Sequence, residues 1–205
     1  MSSHQVQHRL ARTVGVMLAA ALTLTGCSLQ ALVAAPTADK VARQTPAAAD
    51  VFEIITRPAT GQTQTGTGYS FAVPEGWTVP EGMSVPGVDL LVADVTDADG
   101  FSDNVNVVLA PAGVLTPDAV EVEAVAEMTT VASEVETRDR VMVAGVESAH
   151  LAAVSTAAGL EFQIEQYYVS NASQTFVVTF SFSTTVSQVD RDVLSESVLA
   201  TWTWA

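Results

Sequence analysis

Leu160-Glu-Phe-Gln-Ile-Glu-Gln-Tyr-Tyr-Val-Ser-Asn-Ala-Ser-Gln-Thr-Phe-Val-Val-Thr-Phe-Ser-Phe182 reads as two alternating runs joined by a turn. Leu160, Phe162, Ile164 and Tyr168 fall on one face of the first run, and Glu161, Gln163 and Glu165 on the other. Asn171-Ala-Ser173 supplies turn chemistry, after which Phe176, Val178, Phe180 and Phe182 line one face of the second run. A hydrophobic period of two is the signature of a strand, so this stretch is a β-hairpin and the fold is built around it.

Working outward, Val146 to Ser155 forms an earlier strand, joined to the hairpin by a turn at Ala157-Ala-Gly159. On the other side Ser187 caps a helix from Gln188 to about Thr201, with Asp190 placed as in a capping box. Val189, Val193 and Val198, with Leu194 beside them, are expected to face the sheet. Nearer the N-terminus Tyr69, Phe71 and Val73 share one strand face that ends at Pro74-Glu-Gly76. Val88 to Val95 and Val105 to Leu109 form two further strands. Thr116 as N-cap, Pro117 at the first helical position and Asp118 in the first turn then open a helix through Met128. The expected fold class is α+β: an antiparallel β-sheet flanked by helices, both at one side of it.

Upstream of this region the composition changes. Residues 28 to about 50 are rich in Ala, Pro, Thr and Gln and contain no aromatic side chain. Thr60-Gly-Gln-Thr-Gln-Thr-Gly-Thr-Gly68 is polar and glycine-rich. The sequence therefore divides into a leader over 1–26, a flexible tether over 27–63, and one α+β domain over 64–205. Val51-Phe-Glu-Ile-Ile55 is apolar enough to be a strand or a docking segment, and its role stays open. A flexible 28–63 would reach roughly 35 Å as a Gly/Ser-like coil.

The leader carries the clearest address in the chain. His4, His8, Arg9 and Arg12 form a basic start without an acidic residue, and Val14 to Leu24 gives an apolar run too short to span a bilayer. Leu24-Thr-Gly-Cys27 follows, and Cys27 is the one cysteine in 205 residues. This tetrapeptide resembles the lipobox of bacterial lipoproteins. The resemblance implies cleavage between Gly26 and Cys27, a diacylglycerol thioether on the Cys27 sulfur, and a further acyl chain such as palmitate on the new amino group. A buried free cysteine behind an ordinary signal peptide is the alternative.

The sequence has 23 acidic and 8 basic residues. Arg9 and Arg12 leave with the leader, so 6 basic side chains remain against the same 23 acidic ones. Such a surface does not attract nucleic acid, whose phosphates are held by Lys and Arg. It also opposes flat docking on an anionic bilayer, although that field fades within about 8 Å at physiological salt. With Cys27 acylated no thiol is left, which excludes disulfides, thiolate catalysis and cysteine metal sites.

Several features together resemble one family. They are the lipobox, the tether, the opening Gly68-Tyr-Ser-Phe-Ala-Val-Pro-Glu-Gly-Trp77, and the segment Gly100-Phe-Ser-Asp-Asn-Val-Asn-Val-Val108, followed by the C-terminal hairpin and helix. This is similar to the LpqN/LpqT-type lipoproteins of actinobacteria, within the PsbP-like fold group, over residues 64 to 205. The resemblance implies a PsbP-like α/β sandwich, residence in the cell envelope, and an accessory or binding role without assigned catalysis.

The residues that might carry chemistry are few. After the leader, His150 is the one histidine, and no Gly-x-Ser-x-Gly elbow accompanies it. Neither a catalytic relay nor a His-based zinc site is expected, and no cofactor. Asp94, Asp97, Asp99 and Asp103 suggest a calcium loop. The EF-hand register fails there, because Val95 takes position one and Asn106 position twelve, so a solvated connection competes with a weak calcium site. Trp77, Trp202 and Trp204 are either packing residues or the lining of an apolar groove. Two functions stay in view: a non-enzymatic interaction module held to the membrane by Cys27, or a carrier for a lipid or hydrophobic metabolite of the envelope. The carrier needs an apolar void between sheet and C-terminal helix. The partner, whether envelope protein or lipid, is not readable in the sequence.

Overall fold

The computed structural model describes residues 51–54 and 56–205. Gly26, Cys27, the leader and most of the expected tether lie outside them. The elements are β1 (Val51–Glu53), β2 (Thr63–Gly66), β3 (Tyr69–Ala72), β4 (Trp77–Thr78), β5 (Leu90–Asp94), β6 (Asn104–Leu109), α1 (Pro117–Met128), β7 (Ser133–Val143), β8 (Val146–Ala157), β9 (Leu160–Ser170), β10 (Thr175–Ser183), α2 (Gln188–Leu199) and β11 (Thr203–Trp204). They make an eight-stranded sheet in the order β1-β7-β8-β9-β10-β6-β5-β4 and a three-stranded sheet in the order β11-β3-β2. Every pairing is antiparallel except β1 with β7. The class is α+β, dominated by sheet.

The β9–β10 hairpin sits at the centre of the large sheet, and its alternation sorts two cores onto opposite faces. Phe162, Ile164 and Tyr168 of β9 join Ala149, Leu151 and Ala153 of β8 under Val120, Ala124 and Met128 of α1. On the other face Tyr167 and Val169 join Phe176, Val178, Phe180 and Phe182 of β10, beneath Val198 and Leu199 of α2 and the small sheet. The two helices therefore cover opposite faces, and the expectation that both lie at one side is corrected. The reason is visible in β9: from Ile164 onward the side chains on both of its faces are buried, so each face has its own cover.

Three further readings change. Residues expected in the tether are folded: β1 pairs with Arg140–Met142 of β7, the Ala59 N–H donates to the Ser197 carbonyl at 2.8 Å, and β2 pairs with β3. The boundary placed at residue 63 is thus too late, and Val51–Glu53 is a strand. Second, β7 was not foreseen. Its run Ser133-Glu-Val-Glu-Thr-Arg-Asp-Arg140 is too charged to show an apolar face, yet it pairs along β8. The β7–β8 turn runs through Ala144 and Gly145 at φ of 48° and 79°, the double left-handed geometry that suits a two-residue hairpin. Third, Val189 and Val193 are 69% and 50% exposed, whereas α2 buries Arg191, Ser195, Val198 and Leu199. An apolar stripe was expected where the helix instead presents a cation to the sheet.

The small sheet is fastened by aromatic stacking and by one carboxylate. Tyr69 stacks on Trp202 with centroids 4.5 Å apart, and Phe71 lies 5.5 Å from the same indole. Asp89 accepts from the Thr67 N–H at 2.8 Å, the Thr67 hydroxyl at 2.6 Å and the Tyr69 hydroxyl at 2.9 Å. Trp202, 3% exposed, is the plate between β3 and the hairpin core. Trp202→Ala is expected to cost about 3–5 kcal/mol in urea unfolding, because it removes a fully packed ring and leaves a cavity. A loss below about 1 kcal/mol would show that the small sheet is not packed in this way.

Candidate functional site

Among the described residues two charged clusters stand out: Arg140 with Asp118, Glu121 and Glu147 on the α1 side, and a more deeply buried one between α2 and the sheet. Pairing of β8 with β9 sets His150 opposite Tyr167 and Ala152 opposite Glu165, so His150 and Glu165 are diagonal neighbours on the α2 face. The two make a 2.8 Å contact from His150 Nε2 to Glu165 Oε2. Ser187 caps α2, its Oγ accepting the Asp190 N–H at 3.2 Å, and this fixes the helix register that swings Arg191 inward. Arg191 Nε donates to Glu165 Oε1 at 2.8 Å. The same guanidinium donates to the Val186 carbonyl at 2.8 Å and to Gln188 Oε1 at 2.6 Å. Gln188 Nε2 completes the ring, reaching Glu165 Oε1 at 3.1 Å and Asp192 Oδ1 at 2.8 Å. Arg138, from the β7 position paired with His150, faces Asp192 Oδ2 at 3.6 Å.

Glu165 is 0% exposed, and an isolated carboxylate there would neutralise itself. Burial pushes the carboxyl up, but the hydrogen bonds from His150 and Arg191 outweigh it and hold Glu165 below its ordinary value. It is therefore ionised at neutral pH, and His150 Nε2 carries the donated proton. The imidazole also stacks on Tyr167 at 4.0 Å. Beside it, burial raises Glu196, against a hydrogen bond from the Thr56 hydroxyl at 3.1 Å.

Among the described residues, His150, Glu165 and Asp192 form a group whose potential metal-ligating atoms lie within 4.8 Å of one another. The charge balance argues for a clasp and against an ion. Glu165 already faces Arg191, Asp192 already faces Arg138, and the His150 nitrogen is spent on Glu165. A divalent cation would sit against two guanidiniums with little anionic charge left over. The arrangement is suited to holding α2 on the sheet.

The other candidates distribute differently. In the acidic connection Asp94, Asp97 and Asp99 accept from the loop itself, while Asp103 reaches the end of β10. Asp94 accepts from the Thr96 N–H, Asp97 from the Asp99 N–H, Asp99 from the Phe101 N–H, and Asp103 from the Ser183 N–H at 2.8 Å. Burial raises Asp103 to about 6; the Ser183 hydrogen bond works against this, while Asp97, Asp99 and Asp94 add to it. Trp77 and Trp202 are buried in the core and Trp204 packs against it. Trp77 is also one of the residues lining a surface depression of about 520 Å³, with Thr60, Gly61, Gln62, Glu75, Gly76 and Thr78. The C-terminal helix does not line an apolar void at Val198 and Leu199, which are 0% and 1% exposed in the packed core. Cys27 and Gly26 lie outside the described residues.

Sequence reasoning placed His150 on the right strand but did not see Glu165 or Arg191 as partners. Glu165 continues the alternation of Glu161 and Gln163, which read as solvent-facing. The usable signal was Arg191, a cation in the first turns of a helix whose start otherwise favours acids.

No family model and no curated protein matches the sequence. Solved structures give distant similarities of shape. One is a protein of Bacteroides thetaiotaomicron, 15% identical with a TM-score of 0.46, aligned over 71% of this chain but only 48% of its own length. Another is cyanobacterial PsbP from Synechocystis, 19% identical with a TM-score of 0.46, over 70% of this chain and 92% of that one. A third is LpqN of Mycobacterium tuberculosis, a protein involved in cell envelope biogenesis, 12% identical with a TM-score of 0.45, over 68% of this chain and 85% of that one.

Two predictions test the site. Glu165→Gln and Arg191→Met are each expected to cost about 3–5 kcal/mol in chemical denaturation, because each strands a buried charge or its donors. The double variant should cost less than the two losses added, and strict additivity would deny the coupling. Asp103 gives a pH test. Its folded pKa of about 6 exceeds the ordinary 3.8, so the folded state gains protons as pH falls from 6 toward 4 and is stabilised there. Above pH 6 the full penalty of the buried charge applies. Asp103→Asn, which can still accept from Ser183, should melt higher than wild type at pH 7.5 and converge with it near pH 4. A difference independent of pH would contradict the assignment.

Proposed function

We propose that this chain is an exported lipoprotein of the LpqN/LpqT type, with a PsbP-like sandwich, that acts as a non-enzymatic accessory module at the outer face of the cell membrane. The observation that carries this reading is Leu24-Thr-Gly-Cys27, set behind a basic and apolar leader and containing the one cysteine of the chain. Acylation at Cys27 is the anchor, since two or more buried acyl chains hold a protein stably on a bilayer. No helix among the described residues is long and apolar enough to cross a membrane, so a lipid anchor supplies what those helices do not. Residues between Cys27 and Val51 would serve as the spacer to the folded part.

The site geometry suits fastening α2 to the sheet. His150 is 4% exposed with one ring nitrogen on Glu165 and its face on Tyr167, which suits a fastening group better than a proton shuttle for an outside substrate. The carrier reading loses its main support, because it asks for an apolar void where α2 meets the sheet. That interface holds Val198, Leu199 and Trp202 in the core, followed by the ionic clasp.

Cys27→Ala tests the anchor. The variant is expected to leave the membrane fraction, released to the medium or retained as an uncleaved precursor, and to lose incorporation of labelled palmitate. Membrane fractionation at the wild-type size would contradict the reading.

A further inference from the structure

The strand registers sort the turns of the large sheet to two ends. The turn at 171–174 joins β9 to β10, and Leu109 of β6 lies opposite Phe176 just inside it. The β7–β8 turn at 144–145 opens at the same end, because Ala149 pairs with Tyr168. The Leu115 N–H donates to Thr175 Oγ1 and the Asp89 N–H to the Val107 carbonyl, which brings the stretches 110–116 and 84–88 there too. The turn at 67–68 joins them through the bond from Thr67 to Asp89. The connection 94–103, the turn at 157–160, the stretch 184–190 and the α1–β7 link 129–133 gather at the opposite end.

Charge is divided between these ends. None of 67–68, 84–88, 110–116, 144–145 or 171–174 contains a charged side chain. Behind them Asp89 is spent on Thr67 and Tyr69, Asp118, Glu121 and Glu147 share Arg140, and Glu53 stands at the flank on β1. The opposite end carries Asp94, Asp97, Asp99, Asp103 and Asp190 in its turns, with Glu134 and Glu161 adjoining them. Its exposed apolar side chains do not stand apart from these acids: Val95, Leu160 and Val189 are each next in sequence to one, and Val131 is three positions from Glu134. Val114, 49% exposed at the neutral end, has no charged residue within three positions on either side.

The point where the chain enters the fold lies toward the same end. Val51 is opposite Arg140, three residues from Val143 at the neutral end of β7 and seven from Ser133 at the other. Along the strand these are about 10 Å and about 23 Å. As a coil, the 24 residues from Cys27 to Asp50 span about 27 Å. The eleven residues of β9 separate the two ends by about 36 Å.

We propose that the folded domain stands on the bilayer with this neutral end against the headgroups, Val114 at the contact and the acidic end outward. The proposal rests on acylation of Cys27. The tether selects the occupant, because it keeps a lipid surface within reach of the neutral end at all times. Charge selects the orientation: with 23 acidic side chains against 6 basic ones after the leader, the chain is repelled least by anionic headgroups where its turns are neutral. The headgroup field fades within about 8 Å, so standing upright takes the acidic turns out of it. The contact itself is small and is held by the effective concentration that the anchor supplies. The acidic connections are thereby presented away from the membrane.

The test is fluorescence quenching of the full-length acylated protein in vesicles of phosphatidylcholine and phosphatidylglycerol that carry a nitroxide on the headgroup. A thiol-reactive fluorophore is placed at Ala172→Cys or at Ala98→Cys, both at exposed positions. Quenching is expected to be several-fold stronger for the Ala172→Cys label. Adding Val114→Glu to Ala172→Cys should lower its quenching to the level of Ala98→Cys without shifting the melting temperature. Equal quenching at the two sites, stronger quenching at Ala98→Cys, or quenching unmoved by Val114→Glu would overturn the proposal. Equal quenching is also the result if the neutral end belongs to a protein partner, since the vesicles contain none. The chain without an added cysteine reads the anchor separately: it should float with the vesicles and take no label. Labelling at Cys27 or failure to float would overturn the anchor and the proposal that rests on it. A floating, unlabelled chain with equal quenching at the two sites would overturn the orientation alone.

Discussion

The carboxylate of Glu165 is the point on which this structure turns. It lies in the centre of the large sheet with no exposure, and it is kept charged by His150 from the neighbouring strand and Arg191 from the C-terminal helix. A buried ion pair contributes little net stability compared with well-packed apolar residues, but it is intolerant of misplacement. That intolerance gives it a use. Only one position of α2 brings Arg191 Nε onto Glu165 while Gln188 meets both Glu165 and Asp192. Once α2 is set there, Val198 and Leu199 enter the hairpin core, and the chain is led into Trp202 and the small sheet.

The residues behind the family resemblance take on a physical meaning in this arrangement. Tyr69, Phe71 and Val73 are core residues of the small sheet, and Trp77 packs below them. Phe101 stacks on Phe162 at 5.4 Å, Asp103 caps the Ser183 backbone, and Asn104 donates to the Ser102 carbonyl at 2.9 Å. These motif positions hold strands and loops together. A pattern of this kind marks a shape and does not by itself carry a function.

Much of the architecture was legible because alternation in β9 and β10 is strong and because Thr116 and Ser187 cap their helices as their residue types suggest. What escaped the sequence has consistent causes. β7 is charged on both faces for most of its length, so its pairing is decided by β8 and a two-residue turn, and local pattern does not show it. β1 and β2 are short and flanked by tether-like composition, and they become strands only because partners wait for them. The α2 face was misread because two exposed valines looked more hydrophobic than the arginine that is buried. In the site, His150 was visible as a lone residue, whereas Glu165 is 15 positions away and Arg191, which joins through Glu165, is 41 away; the sheet register and the helix cap bring them together.

The clasp holds α2 closed on the sheet, with Val198 and Leu199 packed in the core. Mass spectrometry of the full-length protein purified from its source organism, recorded under native and then denaturing conditions, addresses this directly. The account predicts the same mass per chain in both. A lipid-sized mass present only in the native spectrum would mean a cargo held inside, and would contradict the closed interface.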